Sequence, residues 1–214
     1  GKLKAREKLV LFGAGGHAKV VIDIVEQQGH FEIAGLLDDD PRHQAKCFFG
    51  YPVLGTRADL PALRSAQLCH AIVTIGDNAE RAAVAAHLDQ LGWRFASAIH
   101  PRASIGRGVT IGAGSVVMAG CVINADASLG GHVIVNSGAT VDHDCRIEDA
   151  VHIAPGCHLC GGVSVGPGTL LGAGTTVTPG VSIGRKVVVG AGATVIRDIV
   201  DETRVSASPA LPLD

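Results

Sequence analysis

From residue 99 onward a hydrophobic position recurs every six residues. Ile99, Ile105, Ile111, Val117, Ile123 and so on to Val195 make seventeen consecutive branched aliphatics with nothing inserted between them. Four places after each comes a small or β-branched residue, from Ala103, Val109, Ser115 and Cys121 to Ile199. The residue directly after the aliphatic is Gly at 106, 112, 130, 166, 172, 184 and 190, Asn at 124 and 136, and Asp at 142. A period of six fits neither the 3.6-residue turn of an α-helix nor strict strand alternation. It predicts short flat strands joined by sharp turns. The aliphatic and the small residue point inward, and the turn falls on the next residue, where Gly, Asn and Asp tolerate positive φ. Three hexads close a triangular coil, and coils stack through parallel backbone hydrogen bonds.

The first hundred residues have a different pattern. Leu9-Val10-Leu11-Phe12 predicts a buried strand, and Lys19 to Gln28 a helix with Val20, Val21, Ile24 and Val25 on one face, ended by Gly29. Phe31 to Leu37 reads as a second strand, Cys69 to Ile75 as a third, and Ala79 to Leu91 as a second helix. Strand, glycine turn, helix, strand is a βαβ unit. The expected architecture is an α/β domain with a small parallel sheet over residues 1–98 and a β-solenoid over 99–214. This hexapeptide repeat resembles the left-handed parallel β-helix superfamily, most of whose members are acyltransferases. On the repeat alone, a solenoid serving as scaffold or binding surface stays open.

Composition narrows the picture. There are 29 Gly against 3% aromatic residues, which fits a core too narrow for rings. Eighteen Lys and Arg against 20 Asp and Glu leave a net charge of −2, which argues against a nucleic-acid binder held by a basic field. With 47% apolar and 18% charged residues the chain is not disordered. No apolar run reaches the ~20 residues of a membrane span, and no signal peptide is read, so a cytoplasmic protein is expected. Residues 1–7 are polar and read as frayed. The six cysteines lack metal-finger spacing and read as reduced thiols, with Cys121, Cys145 and Cys157 at inward positions.

Two stretches carry candidate chemistry. Gly13-x-Gly15-x-x-Ala18 matches a dinucleotide fingerprint, and Asp38 lies about 20 residues beyond it. Gly13 and Gly15 let a phosphate approach the backbone, and the helix start at Gly16-His17 offers free N–H groups. Three strands and one fingerprint suit one nucleotide rather than two. A ligand-free β–α turn, with Asp38-Asp39-Asp40 as a solvated bend, is the plain alternative. In the repeat most outward residues are Gly, Ser, Thr, Ala or Arg, and the exception is Val141-Asp142-His143-Asp144-Cys145. His143 is expected to face outward, Asp142 to occupy the turn position, and Asp144 to have no structural reason to be there. A carboxylate beside an outward His keeps the imidazole basic. Gly161, one coil further, would present a bare N–H to an oxyanion. The alternatives are an idle surface histidine and a glycine at a bend. His152 and His158 fall on different faces, which disfavours a metal within one chain. A zinc site shared between subunits, as in β-helix carbonic anhydrases, stays open.

Taken in order, Gly-Ala-Gly-Gly-His-Ala, the Asp-Asp after the second strand, Ile75-Gly76-Asp77-Asn78 after the third, and Val-Asp-His-Asp-Cys in an unbroken repeat resemble the sugar acyltransferases of the sialic-acid O-acetyltransferase type. Within these they are most similar to the N-acetyltransferases of nucleotide-linked 4-amino-4,6-dideoxy sugars such as GDP-perosamine. The resemblance implies a homotrimer, acetyl-CoA lying along the β-helix between subunits, and a nucleotide sugar in the N-terminal domain. It implies His143 as general base, Asp144 raising its basicity, and Gly161 as oxyanion donor. Gly13, Gly15, Gly16, His17, Asp38, Asp39, Gly76 and Asn78 would contact the nucleotide sugar. His152, Gly161, Ala173 and Ala191 would line the CoA groove. No metal, nucleic-acid or membrane partner is implied. The family often has Glu at the place of Asp144, so the shorter carboxylate is expected to contact His143 less directly. Its terminal Gly-x-Pro-Ala appears as Ala207-Ser208-Pro209-Ala210. A sugar O-acetyltransferase, and a nucleotide-binding trimeric sensor without turnover, are the competing readings.

Overall fold

The computed structural model describes residues 6–207. The polar segment 1–5 and the Ser208-Pro209-Ala210 part of the terminal turn lie outside these residues. The N-terminal domain runs β1 (Glu7–Phe12), α1 (Gly16–Gln28), β2 (Phe31–Leu37), β3 (Cys47–Phe48), β4 (Tyr51–Gly55), α2 (Leu60–Ser65), β5 (His70–Val73), α3 (Asn78–Gln90) and β6 (Arg94–Phe95). Its sheet has the order β3-β4-β2-β1-β5-β6, parallel except for the β3–β4 pair. Three strands were expected and six are present. The additional β3, β4 and β6 are short, and β4 carries Pro52, so none shows the apolar run of a buried strand. Glu7, expected to be frayed, already pairs with Phe31.

Strand alternation divides the core. Leu9 and Leu11 face Ala18, Val21, Ile22 and Val25 of α1 in a cluster continuous with the interior of the repeat domain. Val10 and Phe12 face the other way, onto Val84, Ala85 and Leu88 of α3 and onto Trp93. Helix α1 is therefore sandwiched between its own sheet and the repeat. It ends where expected: Gly29 takes φ 67, and its N–H donates to Val25 O.

Each hexad forms one two-residue strand, from β7 (Ala98–Ile99) to β23 (Thr194–Val195), followed by β24 (Arg204–Val205). The strands stack into three parallel sheets of seven, six and five strands, the first, second and third faces of a prism. This is a left-handed β-helix of hexapeptide repeats, whose first strand begins at Ala98. The inward aliphatics from Val117 to Val195 are at most 6% exposed. Each such side chain contributes roughly 1.5–3 kcal/mol relative to exposure. Cys121, Cys145 and Cys157 fill inward positions, and burial raises their thiol pKa values.

The turns correct the sequence reading. Positive φ falls three places after each aliphatic from Ile105 to Val189, at Gly108, Gly114, Asp126, His132, Asp144, Ala150 and their equivalents, and not on the next residue. The glycines directly after the aliphatics have a different cause. A Cβ at Gly112 would lie 2.3 Å from the Gly130 backbone, and one at Gly166 would lie 2.6 Å from Arg185 N. They are small because successive coils touch there. Asp142 thus does not hold the left-handed position, and Asp144 does, with φ 59.

Candidate active site

The C-terminal ends of β1, β2 and β5 open into a cavity of about 470 Å³ lined by Gly13 to His17, Asp38 to Asp40, Thr74 to Gly76 and Glu80. Strand order reverses at β1, the place where open α/β sheets bind ligands. Gly13 is demanded by the fold: its φ is 121, and a Cβ would come within 2.8 Å of Thr74 O. A Cβ at Gly15 or Gly16 would meet nothing within 4 Å, so packing does not require glycine there. Gly15, as N-cap of α1, brings no side chain to the first turn, which leaves N–H groups facing the cavity. Free N–H groups at a helix start can cradle an anion, and the cavity leaves room above them.

The acidic residues are partly committed within the chain. Asp38 Oδ2 accepts the Ala14 N–H at 2.7 Å, and its Oδ1 accepts the Asp40 N–H at 2.8 Å. Asp39, the more exposed of the two, pairs with Arg57 Nε at 2.6 Å. Asp38 therefore shapes the glycine turn, while Asp39 stands at the rim. Asn78 does not line this cavity. Its amide nitrogen donates to Gly168 O and Thr169 O at 3.1 Å, and its oxygen accepts from Arg81. Asn78 fastens α3 to the β-helix. Phe12, Ala14, Asp40, Thr74, Ile75 and Glu80 complete the lining and were missed as site residues. Their position beside the ends of strands β1, β2 and β5 was the available signal.

The floor of the cavity reaches the first face of the prism. His17 Nε2 is buried without a hydrogen-bond partner. Burial, with His152 and Arg81 nearby, lowers the His17 pKa to about 4. His152, on the first face, is likewise held at about 4 by burial and then by Arg81, against a smaller opposing contact from the Gly76 backbone. Its Nε2 lies 3.2 Å from Asn136 Nδ2. Both rings are neutral near pH 7. Ala173 and Ala191 are exposed one coil apart, on the edge that leaves the first face beyond His152. Glycines 172, 174, 190 and 192 flank them, so this edge is a narrow track bare of long side chains.

His143 sits elsewhere, on the corner between the second and third faces. Its Nδ1 is 2.8 Å from Asp144 Oδ2, and the ring is 61% exposed. The shorter carboxylate thus makes a direct contact. The left-handed turn at Asp144 aims that carboxylate back at its neighbour. Asp142 accepts the His143 N–H at 2.8 Å and the Asn124 amide at 2.9 Å, which fixes the corner to the coil below. The bond to Asp144 raises the His143 pKa, with Asp142 adding to it. Gly161 lies against the ring: a Cβ there would be 2.6 Å from Nε2. The Gly162 N–H donates to His143 O, whereas the Gly161 N–H meets no acceptor among the described residues. An oriented, basic imidazole beside a free N–H can take a proton while a neighbouring oxygen gains charge. His152 and His158 do lie on different faces. Among the described residues no group of three or more His, Cys, Asp or Glu is arranged to hold a metal, and no helix is long and apolar enough to cross a membrane.

A histidine-to-asparagine variant of perosamine N-acetyltransferase from Caulobacter crescentus, solved with CoA and GDP-perosamine, is 42% identical, with 97% of each chain covered and a TM-score of 0.91. The chain belongs to the hexapeptide-repeat family of sugar N-acetyltransferases. The acetyltransferase domain of PglB from Neisseria gonorrhoeae, solved with acetyl coenzyme A, agrees with this placement: 38% identity, 98% of this chain, 100% of that one and a TM-score of 0.87. The PglD N-terminal domain family matches residues 8–88. The bacterial transferase hexapeptide family matches residues 144–179, and the hexapeptide repeat of succinyl-transferase matches 102–125 and 162–197. An uncharacterised protein of Acanthamoeba polyphaga mimivirus is 37% identical over 125 residues. The chain spans about a quarter (24%) of that curated relative's length.

Proposed function

We propose that this N-acetyltransferase moves the acetyl group of acetyl-CoA to the 4-amino group of a nucleotide-linked dideoxy amino sugar of the GDP-perosamine kind. The observation that carries the reading is the His143–Asp144 pair lying against bare Gly161, on a chain so similar to a protein solved with CoA and GDP-perosamine. The anion cradle at Gly15, Gly16 and His17 would receive the phosphates, and Asp38 and Asp39 the donor edges of ribose or base. The Ala173–Ala191 track suits a long thin pantetheine chain, with His152 beside it. The sugar amine must attack the acetyl carbonyl as a neutral amine, and the ammonium that results must lose a proton. His143 takes that proton, and Asp144 stabilises the imidazolium. Collapse of the tetrahedral intermediate then breaks the C–S bond, and CoA leaves as the thiolate, which takes the proton back from His143 to become the free thiol. The Gly161 N–H faces the oxygen that gains charge, a donor worth ~10²–10³ in rate. No covalent bond to the enzyme is needed.

Within one chain, the corner bearing His143 is opposite the face that carries the glycine cavity. The reading therefore includes a homotrimer in which His143 of one copy meets the cavity of the next, working in the cytoplasm. Sedimentation should give three times 21.8 kDa, and a monomer at micromolar concentration would remove the shared site. The decisive experiment offers acetyl-CoA with UDP-, GDP- and dTDP-linked amino sugars and follows thiol release. Release that requires a 4-amino nucleotide sugar is expected. The absence of release with every acceptor would overturn the reading.

A further inference from the structure

We propose that Arg81 is the positioning residue that locks the Ile75–Gly76 wall of the nucleotide-sugar cavity onto the β-helix, an inference that rests on the function proposed above. Arg81 is 1% exposed, among the largest fully buried side chains of the described residues. Its Nη1 donates to Ile75 O and Gly76 O, both at 3.1 Å. On the other side, Nε donates to His132 O at 2.8 Å and Nη2 to Ala150 O at 3.0 Å. Nη2 also donates to Asn78 Oδ1, and Asn78 passes the connection to Gly168 O and Thr169 O. All five guanidinium N–H groups are used, and none meets a carboxylate.

The acceptors on the β-helix form a row. His132, Ala150 and Gly168 are one coil apart, and each occupies a left-handed turn position. Their carbonyls stand clear of the inter-coil ladder, so Arg81 and Asn78 together grip three successive coils. The other half of the grip is the loop after β5, whose Gly76 both lines the cavity and touches His152. A buried cation held by carbonyls alone costs more than an apolar residue of the same volume. Mere attachment of α3 would not need it. Its charge also reaches the two rings at the cavity floor: for His17 the neighbouring ionisable groups are His152 and Arg81, and for His152 the neighbouring charge is Arg81, and in each case it favours the neutral ring.

Two variants separate tether from charge. Arg81→Met removes both; Arg81→Lys keeps the charge but supplies at most three donors for five acceptors. In Arg81→Met the KM for nucleotide sugar should rise about tenfold while that for acetyl-CoA stays within about twofold. The His17 titration midpoint, followed by ring NMR, should move up from about 4. In Arg81→Lys the nucleotide-sugar KM should rise while the His17 midpoint stays. A lower melting temperature with KM values and midpoint unchanged would reduce Arg81 to a structural residue and overturn the proposal. If Arg81→Met does not fold, the KM split in Arg81→Lys decides. If the wild type transfers no acetyl group, the functional reading falls, and the His17 midpoints in the two variants still decide the role of Arg81.

Discussion

Replacing Gly161 by Ala should disable the site without harming the fold. The new Cβ would lie 2.6 Å from His143 Nε2 and equally close to Cε1. Ordinary heavy-atom contact is ~3.5–4.0 Å, so the ring must retreat by about 1 Å. It is an exposed ring at the end of a side chain and can swing away cheaply. Gly161 has no positive φ, so the backbone is unstrained. The swing, however, stretches the 2.8 Å bond to Asp144 and carries Nε2 off its position. A displacement of about 1 Å at a reacting group costs ~10²-fold in rate. Gly162→Ala is the matched control. Its φ is 71, and its Cβ would meet nothing closer than Gly180 Cα at 4.0 Å. It should therefore lose ~1–2 kcal/mol of stability to left-handed strain while kcat stays within about threefold. Thiol release at saturating substrates and thermal unfolding read the two effects separately. Wild-type kcat in Gly161→Ala, with the melting temperature unchanged, would refute the reasoning, since the ring would then have no need of its place against Gly161.

Other perturbations address the remaining parts of the site. His143→Ala should lower kcat by ~10²–10⁴ and leave the fold intact, because Val141 and Cys145 carry the local core. Asp144→Asn should do less damage and shift the acidic limb of the kcat/KM profile to lower pH, since the amide can still orient the ring but lacks the negative charge that raises the His143 pKa; a limb that stays in place would separate the base from that carboxylate. Asp39→Ala should raise the KM for nucleotide sugar and spare that for acetyl-CoA, whereas Asp38→Ala should in addition loosen the turn at Ala14; parallel rises in both constants would contradict the division between domains. Stability should fall as pH drops from 6.5 to 4, because His17 and His152 have folded pKa values of about 4 against 6.5 unfolded. The unfolded chain then binds more protons across that window, which costs about 2 kcal/mol per ring by pH 5. Equal denaturant midpoints at pH 7 and pH 5 would show that the rings are not buried neutral.

The stacked strands of the repeat were legible because their signal is one-dimensional. Every coil imposes the same demand on the same hexad position, so seventeen aliphatics in phase describe seventeen strands. The phase of the turns was misread for a physical reason: glycine serves both positive φ and close approach of backbones, and residue type does not tell them apart. Gly112 is small for clearance and Gly114 for φ 80. The same confusion exchanged the roles of Asp142 and Asp144. In the N-terminal domain, long central strands were legible and short edge strands were not. The glycine turn and its aspartates could be read from spacing. Arg81 could not, since nothing about a lone arginine in a helix of alanines marks it as buried. Its partners are carbonyl oxygens 51 and 69 residues away, which belong to no residue type.

A prism with three faces separates groups by which hexad of the coil they occupy. His152 and His143 are nine residues apart, yet one belongs to the first face and the other to the opposite corner. The N-terminal domain covers the first face through α1, so its glycine cavity can recruit His152 and cannot recruit His143 of the same chain. Asp144, Asp142 and Gly161 are all arranged around a histidine that stands 61% exposed and points away from the glycine cavity of its own chain. A general base needs its substrate within hydrogen-bond reach, either directly or through one water. On the function proposed above, the geometry of the coil makes the chemistry depend on a second copy, brought in at the corner that carries Asp142, His143 and Asp144.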